Sequence, residues 1–405
     1  MKETIQVSNM HPIHPFPARM APSIVWDSLP DNGKPLCILD PMMGSGTSLV
    51  IARSQGHLAI GCDTDPLAVL IARAWCSDVS SKKLVDCAKS ILDKAIEIGK
   101  ELPSDNAYPS DVDDETKKFI KFWFDDNCRI QLTALAQSIS QMDNINEKNL
   151  LWTAFSRLII TKKLGVSLAM DVSHSRPHRK YEKAPVNPFD KFLSAADYII
   201  KKSPFRDSNI NTATPIIAKG DARYLSINSN SIDIVVTSPP YLNAIDYMRG
   251  HKLSLVWMGY SIKSLRSLRS RNIGSENSLA LTRTDEFLKI LESMGDVENL
   301  GTSYQGMITR YIADMGNVMS ECRRVLKDNG HAIFVIGDSA IRGVNIKNSK
   351  ALIVLAQNRG FKLLSMVSRP IEESRRYLPP PTSKTAGESM GNRMREEVIL
   401  SFVAI

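Results

Sequence analysis

At 405 residues the chain exceeds what one hydrophobic core usually fills, so one large domain carrying an insertion, or two domains, is expected. Its 51 lysines and arginines against 43 acidic residues leave a formal charge of +8, which suits a polyanionic partner without requiring one. The six cysteines form no Cys-x-x-Cys pair, no apolar run approaches a membrane span, and the N-terminus lacks a charged-then-apolar signal, so a reduced, cytoplasmic protein with no metal site and no membrane partner is expected.

In chain order, His11 to Pro22 comes first, where four prolines stiffen the backbone around Phe16 and Arg19. It reads either as a segment holding Phe16 against a ligand or as an arm packed on the surface. Next, Leu36-Cys37-Ile38-Leu39 reads as a buried strand. Asp40-Pro41-Met42-Met43-Gly44-Ser45-Gly46-Thr47 is then the turn into a helix over Ser48 to Gln55. Strand, glycine turn and helix N-terminus together let backbone N–H groups approach a nucleotide-like ligand, with a plain glycine turn as the alternative.

The ligand is narrowed by what the turn lacks. A phosphate cradle needs a lysine after its last glycine, whereas Thr47 follows Gly46 directly. A dinucleotide turn favours a third small residue where this chain has Leu49, which is expected to impede close helix packing. A ligand with ribose and adenine but no phosphate needs only a strand-end acid and a Gly-x-Gly turn, and S-adenosylmethionine fits. Asp63, 23 positions after Asp40 at the end of His57 to Asp63, is placed to accept both ribose hydroxyls. Asp65 precedes Pro66 and is read as the cap of the following helix.

From about 80 to 210 the periodicity is helical, with helices expected over Lys82 to Lys100, Glu115 to Asp125, Ile130 to Met142 and Leu150 to Lys163. The stretch closes in a basic segment, Asp171 to Lys180, whose Arg176 and Arg179 suit phosphate contacts or a solvated linker. Pro215 to Ala218 resumes the sheet and leads to Asp221, an acceptor for an adenine amino group. Ile232 to Thr237 is a buried strand ending in Ser238-Pro239-Pro240-Tyr241.

In a doubly wound sheet the first and fourth strands flank the point where strand order reverses, so the glycine loop and this proline turn face one crevice. The Ser238 hydroxyl and Pro239 carbonyl can accept hydrogen bonds from an amino group, Pro240 helps fix the turn, and Tyr241 offers a ring for a base. Acceptors that draw amine protons out of the ring plane localise a lone pair that is otherwise delocalised into the base.

Beyond the turn, Arg249, Lys252, Lys263, Arg266, Arg269 and Arg271 follow one another with no acidic residue between Tyr247 and Ser275. They read as contacts to a nucleic-acid backbone, the alternative being a solvated basic helix. A helix over Gln305 to Leu326, a strand over Gly330 to Asp338, a helix over Leu352 to Gln357 and strands over Phe361 to Val367 and Val398 to Val403 complete the chain. Arg369 to Arg395 reads as a long loop.

Asp-Pro-x-x-Gly-Ser-Gly-Thr at 40–47 together with Ser-Pro-Pro-Tyr at 238–241 resembles the amino-directed DNA methyltransferases, which methylate cytosine N4 or adenine N6. His14-Pro15-Phe16-Pro17-Ala18-Arg19, Tyr241-Leu242-Asn243-Ala244-Ile245-Asp246-Tyr247 and His251-Lys252-Leu253 look like a subgroup in which the cofactor loop precedes the catalytic turn. The resemblance implies an α/β, Rossmann-like class I methyltransferase fold, a seven-stranded mostly parallel sheet with a helical insertion. It implies that Phe16, Asp40, Gly44, Gly46, Asp63 and Asp221, with Pro41, Ser45 and Thr47 of the loop, surround S-adenosylmethionine, and that Ser238, Pro239 and Tyr241 hold the target base.

A serine heading the second motif is similar to the cytosine-N4 members. Methylation of cytosine C5 is disfavoured because no cysteine here follows a proline. The expected organisation is residues 1–79 as the first half of the core, 80–210 as the insertion and 211–405 as the second half. Double-stranded DNA is the expected substrate, a restriction endonuclease a potential companion. Adenine N6, an RNA amine, an inactive nucleic-acid-binding module and a nicotinamide enzyme are the alternatives. Many relatives carry a separate recognition domain after the catalytic turn or at the C-terminus, whereas this chain reads as ending with the sheet, so base reading is expected to fall to the insertion, the basic stretch or the late loop.

Overall fold

The computed structural model describes residues 10–17, 19–30, 33–206, 212–242, 246–273, 284–371 and 396–405. Seven strands form the main sheet: β1 (Cys37–Asp40), β2 (Leu58–Asp63), β3 (Ile216–Lys219), β4 (Ile232–Thr237), β5 (Leu326–Ile336), β6 (Phe361–Pro370) and β7 (Glu396–Ala404), in the spatial order β6-β7-β5-β4-β1-β2-β3. Every pairing is parallel except those of β7, which runs antiparallel between β5 and β6. Central β1 and β4 carry apolar residues on both faces at their centres, Ile38-Leu39 and Ile234-Val235-Val236, as a strand covered on both sides requires, and they pair Ile38 with Ile234 and Leu39 with Val235. The chain moves outward from β1 to β2 and β3, then returns to the other side of β1 as β4. The order therefore reverses between β1 and β4.

Strand alternation divides the core into two layers. Ile38, Ile234 and Val335 face one side, against α1 (Pro22–Ser28), α2 (Thr47–Ser54), α3 (Pro66–Trp75) and the helices that follow. Leu39, Val235 and Phe334 face the other, against α11 (Asp285–Ser293), α12 (Thr302–Val325) and α13 (Asn348–Gln357).

The four helices expected from periodicity are present as α4 (Ser81–Glu101), α5 (Asp114–Trp123), α6 (Asp126–Ser140) and α7 (Ile145–Ile159). Their first turns are set by side-chain caps, Ser80, Asp113, Asp125 and Asn144, each accepting a backbone N–H. That is why α6 and α7 begin about a turn before their apolar stripes. A fifth helix, α8 (Pro188–Lys202), was not expected; Asn187-Pro188 at its start is the signal that marks it. These helices share one continuous core with the sheet rather than enclosing one of their own.

The basic segment 171–180 is not a solvated linker. Ala169–Met170 and His178–Arg179 pair as a short hairpin, and the buried Val172, Ser173 and Ser175 seat the intervening turn on the protein. The long loop expected from Arg369 begins later, because Arg369 and Pro370 still pair with Glu397 and Glu396. Pro370 is tolerated because β6 is an edge strand. Residues 372–395 of that loop, with Ala18, Asn243, Ala244, Ile245 and Ser275 of the motifs quoted above, lie outside the described residues. Among the described residues no helix is long and apolar enough to cross a membrane.

Candidate active site

The glycine loop is organised by Asp40. Its Oδ1 accepts hydrogen bonds from Met42 N (3.1 Å) and Thr237 Oγ1 (2.7 Å), and its Oδ2 accepts from Ser48 Oγ. One buried carboxylate thus ties the ends of β1 and β4 to the start of α2, although burial holds its pKa up at about 6. Gly44, at φ 52°, leaves room for Phe16, whose Cε1 would lie 3.3 Å from an added Cβ. Gly46, at φ 87°, lets α2 close on α3, since a Cβ there would meet that of Ala72 at 2.9 Å. Leu49 does not impede packing. The small residue that accommodates it is Gly61 on β2, where a Cβ would come within 2.7 Å of Leu49 Cδ1.

Asp63 ends β2 facing this loop. Its Oδ2 accepts from Gly44 N (2.9 Å) and its Oδ1 from Asp65 N (2.9 Å). Burial, then the charge of Asp65, raises its pKa to about 7. Asp65 caps α3 through Leu67 N (2.9 Å), as read from the sequence.

Loop, arm and proline turn enclose one cavity of about 450 Å³. Of the residues singled out above, Phe16, Asp40, Pro41, Gly44, Ser45, Thr47, Asp63, Asp221, Ser238, Pro240, Tyr241, Arg249, Arg266, Arg269 and Arg271 line it. Gly46 and Pro239 do not; Gly46 packs beneath the loop and Pro239 is buried behind the turn. Lys252, on α9 (Met248–Leu255), points its Nζ over the Phe119 ring (5.2 Å), and Lys263, on α10 (Ile262–Ser270), is exposed away from the cavity. Arg176 and Arg179 are exposed outside it, Arg179 lying over Phe122 (5.2 Å).

Asp221 is held by a neighbour that sequence reasoning missed. Arg223 forks onto both its oxygens (3.0 and 2.6 Å) and reaches Asp314 Oδ1 (2.7 Å), which keeps the Asp221 carboxyl below its ordinary range despite burial. Only the Asp-x-Arg spacing hinted at it.

In the proline turn, Ser238 Oγ donates to Val335 O (3.0 Å) and lies 3.4 Å from Tyr241 Oη. Its single hydrogen is spent on the β5 backbone, so it meets the cavity wall as an acceptor. Tyr241 is half-buried, and burial raises its phenol to about 12, keeping it neutral.

The basic stretch has counter-charges that its own sequence lacks. Asp246 accepts from Arg249 Nε (3.1 Å) and Arg269 Nε (2.7 Å), and Arg266 pairs with Glu115 of α5. The reading of six unopposed cations is therefore corrected. Paired guanidiniums at a cavity rim keep donors free while the carboxylates fix their direction. The hairpin at 171–180 packs on α9, where Ser175 Oγ approaches Tyr247 O (3.5 Å) and Gly250 leaves room for Val172 O.

Residues 232–393 match the DNA methylase family of N6 and N4 enzymes. The chain is 24% identical over 425 residues to the Type II methyltransferase M.MvaI of Kocuria varians, covering 96% of this chain and 90% of that one. It is 22% identical over 383 residues to the Type II methyltransferase M.AvaI of Nostoc sp., covering 82% and 74%. Among solved structures, a SAM-dependent methyltransferase of Methanosarcina mazei aligns over 96% of this chain and 99% of its own at 8% identity, with a TM-score of 0.33.

Proposed function

We propose, from the premise that the chain belongs to the amino-directed DNA methyltransferases, that this protein methylates the exocyclic N4 of cytosine in duplex DNA. The family match and the Type II relatives support a site-specific, S-adenosylmethionine-dependent DNA methyltransferase of the N4/N6 family. What favours N4 is that the turn begins with a serine, as in the cytosine-N4 members it resembles; the Ser238 hydroxyl, whose hydrogen goes to Val335 O, leaves an acceptor for the amine N–H of either base.

The residues present fit the cofactor. Asp63, a half-buried carboxylate on the cavity wall with lone pairs to spare, would accept from the ribose hydroxyls, while Gly44, without a Cβ, and the Phe16 ring would bound the adenosine. When bound, S-adenosylmethionine supplies an electrophilic methyl group and keeps the bonding pair on sulfur. The protein's part is orientation. Ser238 Oγ would hold an amine hydrogen out of the ring plane, so that the nitrogen lone pair localises toward the methyl group, whereas Pro239, which does not line the cavity, would act by fixing the turn. The Tyr241 ring would stack the base once it leaves the duplex. Arg249, Arg266, Arg269 and Arg271 at the rim, with Arg176 and Arg179 on the adjoining hairpin, would meet the phosphates around it. A restriction endonuclease of the same site specificity is the companion this reading implies.

The test is transfer of a labelled methyl group to duplex DNA by the wild type and by Ser238→Ala. Loss of about a hundredfold in kcat with cofactor affinity retained supports the acceptor role. Full transfer by the variant overturns it.

A further inference from the structure

The N-terminal arm, the loop after β2 and α9 come from three distant parts of the chain, and they meet at one buried imidazole. His251, only 1% exposed, lies 2.5 Å through Nδ1 from Asp65 Oδ2. A carboxylate only accepts, so Nδ1 carries the hydrogen. The other Asp65 oxygen caps α3, and the Asp65 backbone N–H donates to Asp63 Oδ1. The Asp63 carboxylate is therefore held from two sides, by Gly44 N from the glycine loop and by Asp65 N from a turn that His251 anchors.

The same ring packs on Phe16 (centroids 5.0 Å), and Tyr247, the residue just before α9, stacks on Phe16 at 5.7 Å and 18°. Phe16 in turn touches the space a side chain at 44 would fill. One histidine thus reaches the cavity by two routes, a hydrogen-bonded route through Asp65 to Asp63 and an aromatic route through Phe16 to Gly44.

We propose that His251 is a positioning residue for the cofactor's ribose, setting the Asp63 carboxylate through its hydrogen bond to Asp65. This rests on the reading of Asp63 as the ribose acceptor. The hydrogen-bonded route is the effective one, because it ends on the carboxylate itself, and a hydrogen bond to a charged group is among the stronger polar contacts. His251 does not touch the reacting atoms. Its loss weakens cofactor binding and leaves the handling of DNA unchanged.

Two variants separate the routes. His251→Phe keeps a ring against Phe16 and removes the donor, while His251→Asn keeps a donor near Nδ1 and removes the ring. Titration calorimetry of the full chain with S-adenosylmethionine is expected to give about tenfold weaker binding for His251→Phe and a change within about threefold for His251→Asn. The KM for duplex DNA, and kcat at saturating cofactor, stay near wild type for both. Should His251→Phe not accumulate folded, His251→Gln, whose amide sits nearer Nε2, replaces it with the same expectation.

Wild-type affinity in His251→Phe, equal weakening in both variants, or a change confined to the KM for DNA overturns the proposal. Asp63→Asn run alongside separates the two claims. If it binds cofactor like the wild type, the reading of Asp63 fails and takes this proposal with it. If it binds weakly while His251→Phe binds normally, only the role of His251 fails.

Discussion

As the proposed ribose acceptor, the Asp63 carboxylate is expected to make cofactor binding depend on pH near neutrality. Its ordinary pKa of 3.8 is raised to about 7, burial being the main cause and the charge of Asp65 the next. The ionised form accepts from a ribose hydroxyl more strongly than the neutral acid, one of whose oxygens becomes a donor. With a pKa of about 7 the carboxylate is about nine-tenths ionised at pH 8 and about one-tenth at pH 6, so the Kd for S-adenosylmethionine is expected to weaken by up to about tenfold across that interval. Stability moves the other way. The folded state binds the proton more tightly than the unfolded chain, so stability is gained as pH falls through the folded pKa and lost as it rises. From pH 8 to 6 this one group adds about 1.4 kcal/mol to the cofactor-free protein, and Asp40, raised to about 6, adds a few tenths more. Calorimetric titration and thermal unfolding at both pH values test the pair together. A Kd independent of pH, or one whose pH dependence survives in Asp63→Asn, refutes the reasoning.

Three further outcomes follow from the geometry. Gly46→Ala forces a Cβ to within 2.9 Å of that of Ala72 at φ 87°, and is expected to lower stability by about 2–4 kcal/mol, measured by denaturant unfolding. Tyr241→Phe keeps the ring and stays within a fewfold of wild-type kcat/KM, whereas Tyr241→Ala loses about 10- to 100-fold on duplex DNA; equal losses contradict a stacking role. Arg249→Ala and Arg269→Ala each reduce the salt dependence of DNA binding by about one unit of slope in a logarithmic plot, without altering cofactor affinity.

What could be read from the chain and what could not divide along sequence distance. The Asp40–Thr47 turn, the acid at Asp63 and the Ser238–Tyr241 turn each sit in a run of fewer than a dozen residues whose pattern is local, and all three meet at the switch between β1 and β4. The residues missed are those whose meaning depends on a partner far along the chain. Asp65 and His251 are 186 positions apart, and Glu115 and Arg266 are 151 apart. No periodicity announces either contact. Leu49 misled for the same reason, since the glycine that accommodates it lies on β2 rather than in its own turn. The starts of α6 and α7 were legible in Asp125 and Asn144, but an apolar stripe begins only where a helix meets the core, and capping decides where it starts.

The central claim is most directly tested by the chemical identity of the product. The full chain is incubated with methyl-labelled S-adenosylmethionine and mixed-sequence duplex DNA, the DNA is digested to nucleosides, and the labelled nucleoside is identified by chromatography and mass. The account predicts N4-methylcytosine. Label on N6-methyladenine would contradict the assignment drawn from Ser238, and label absent from DNA but present when RNA is supplied would contradict the substrate.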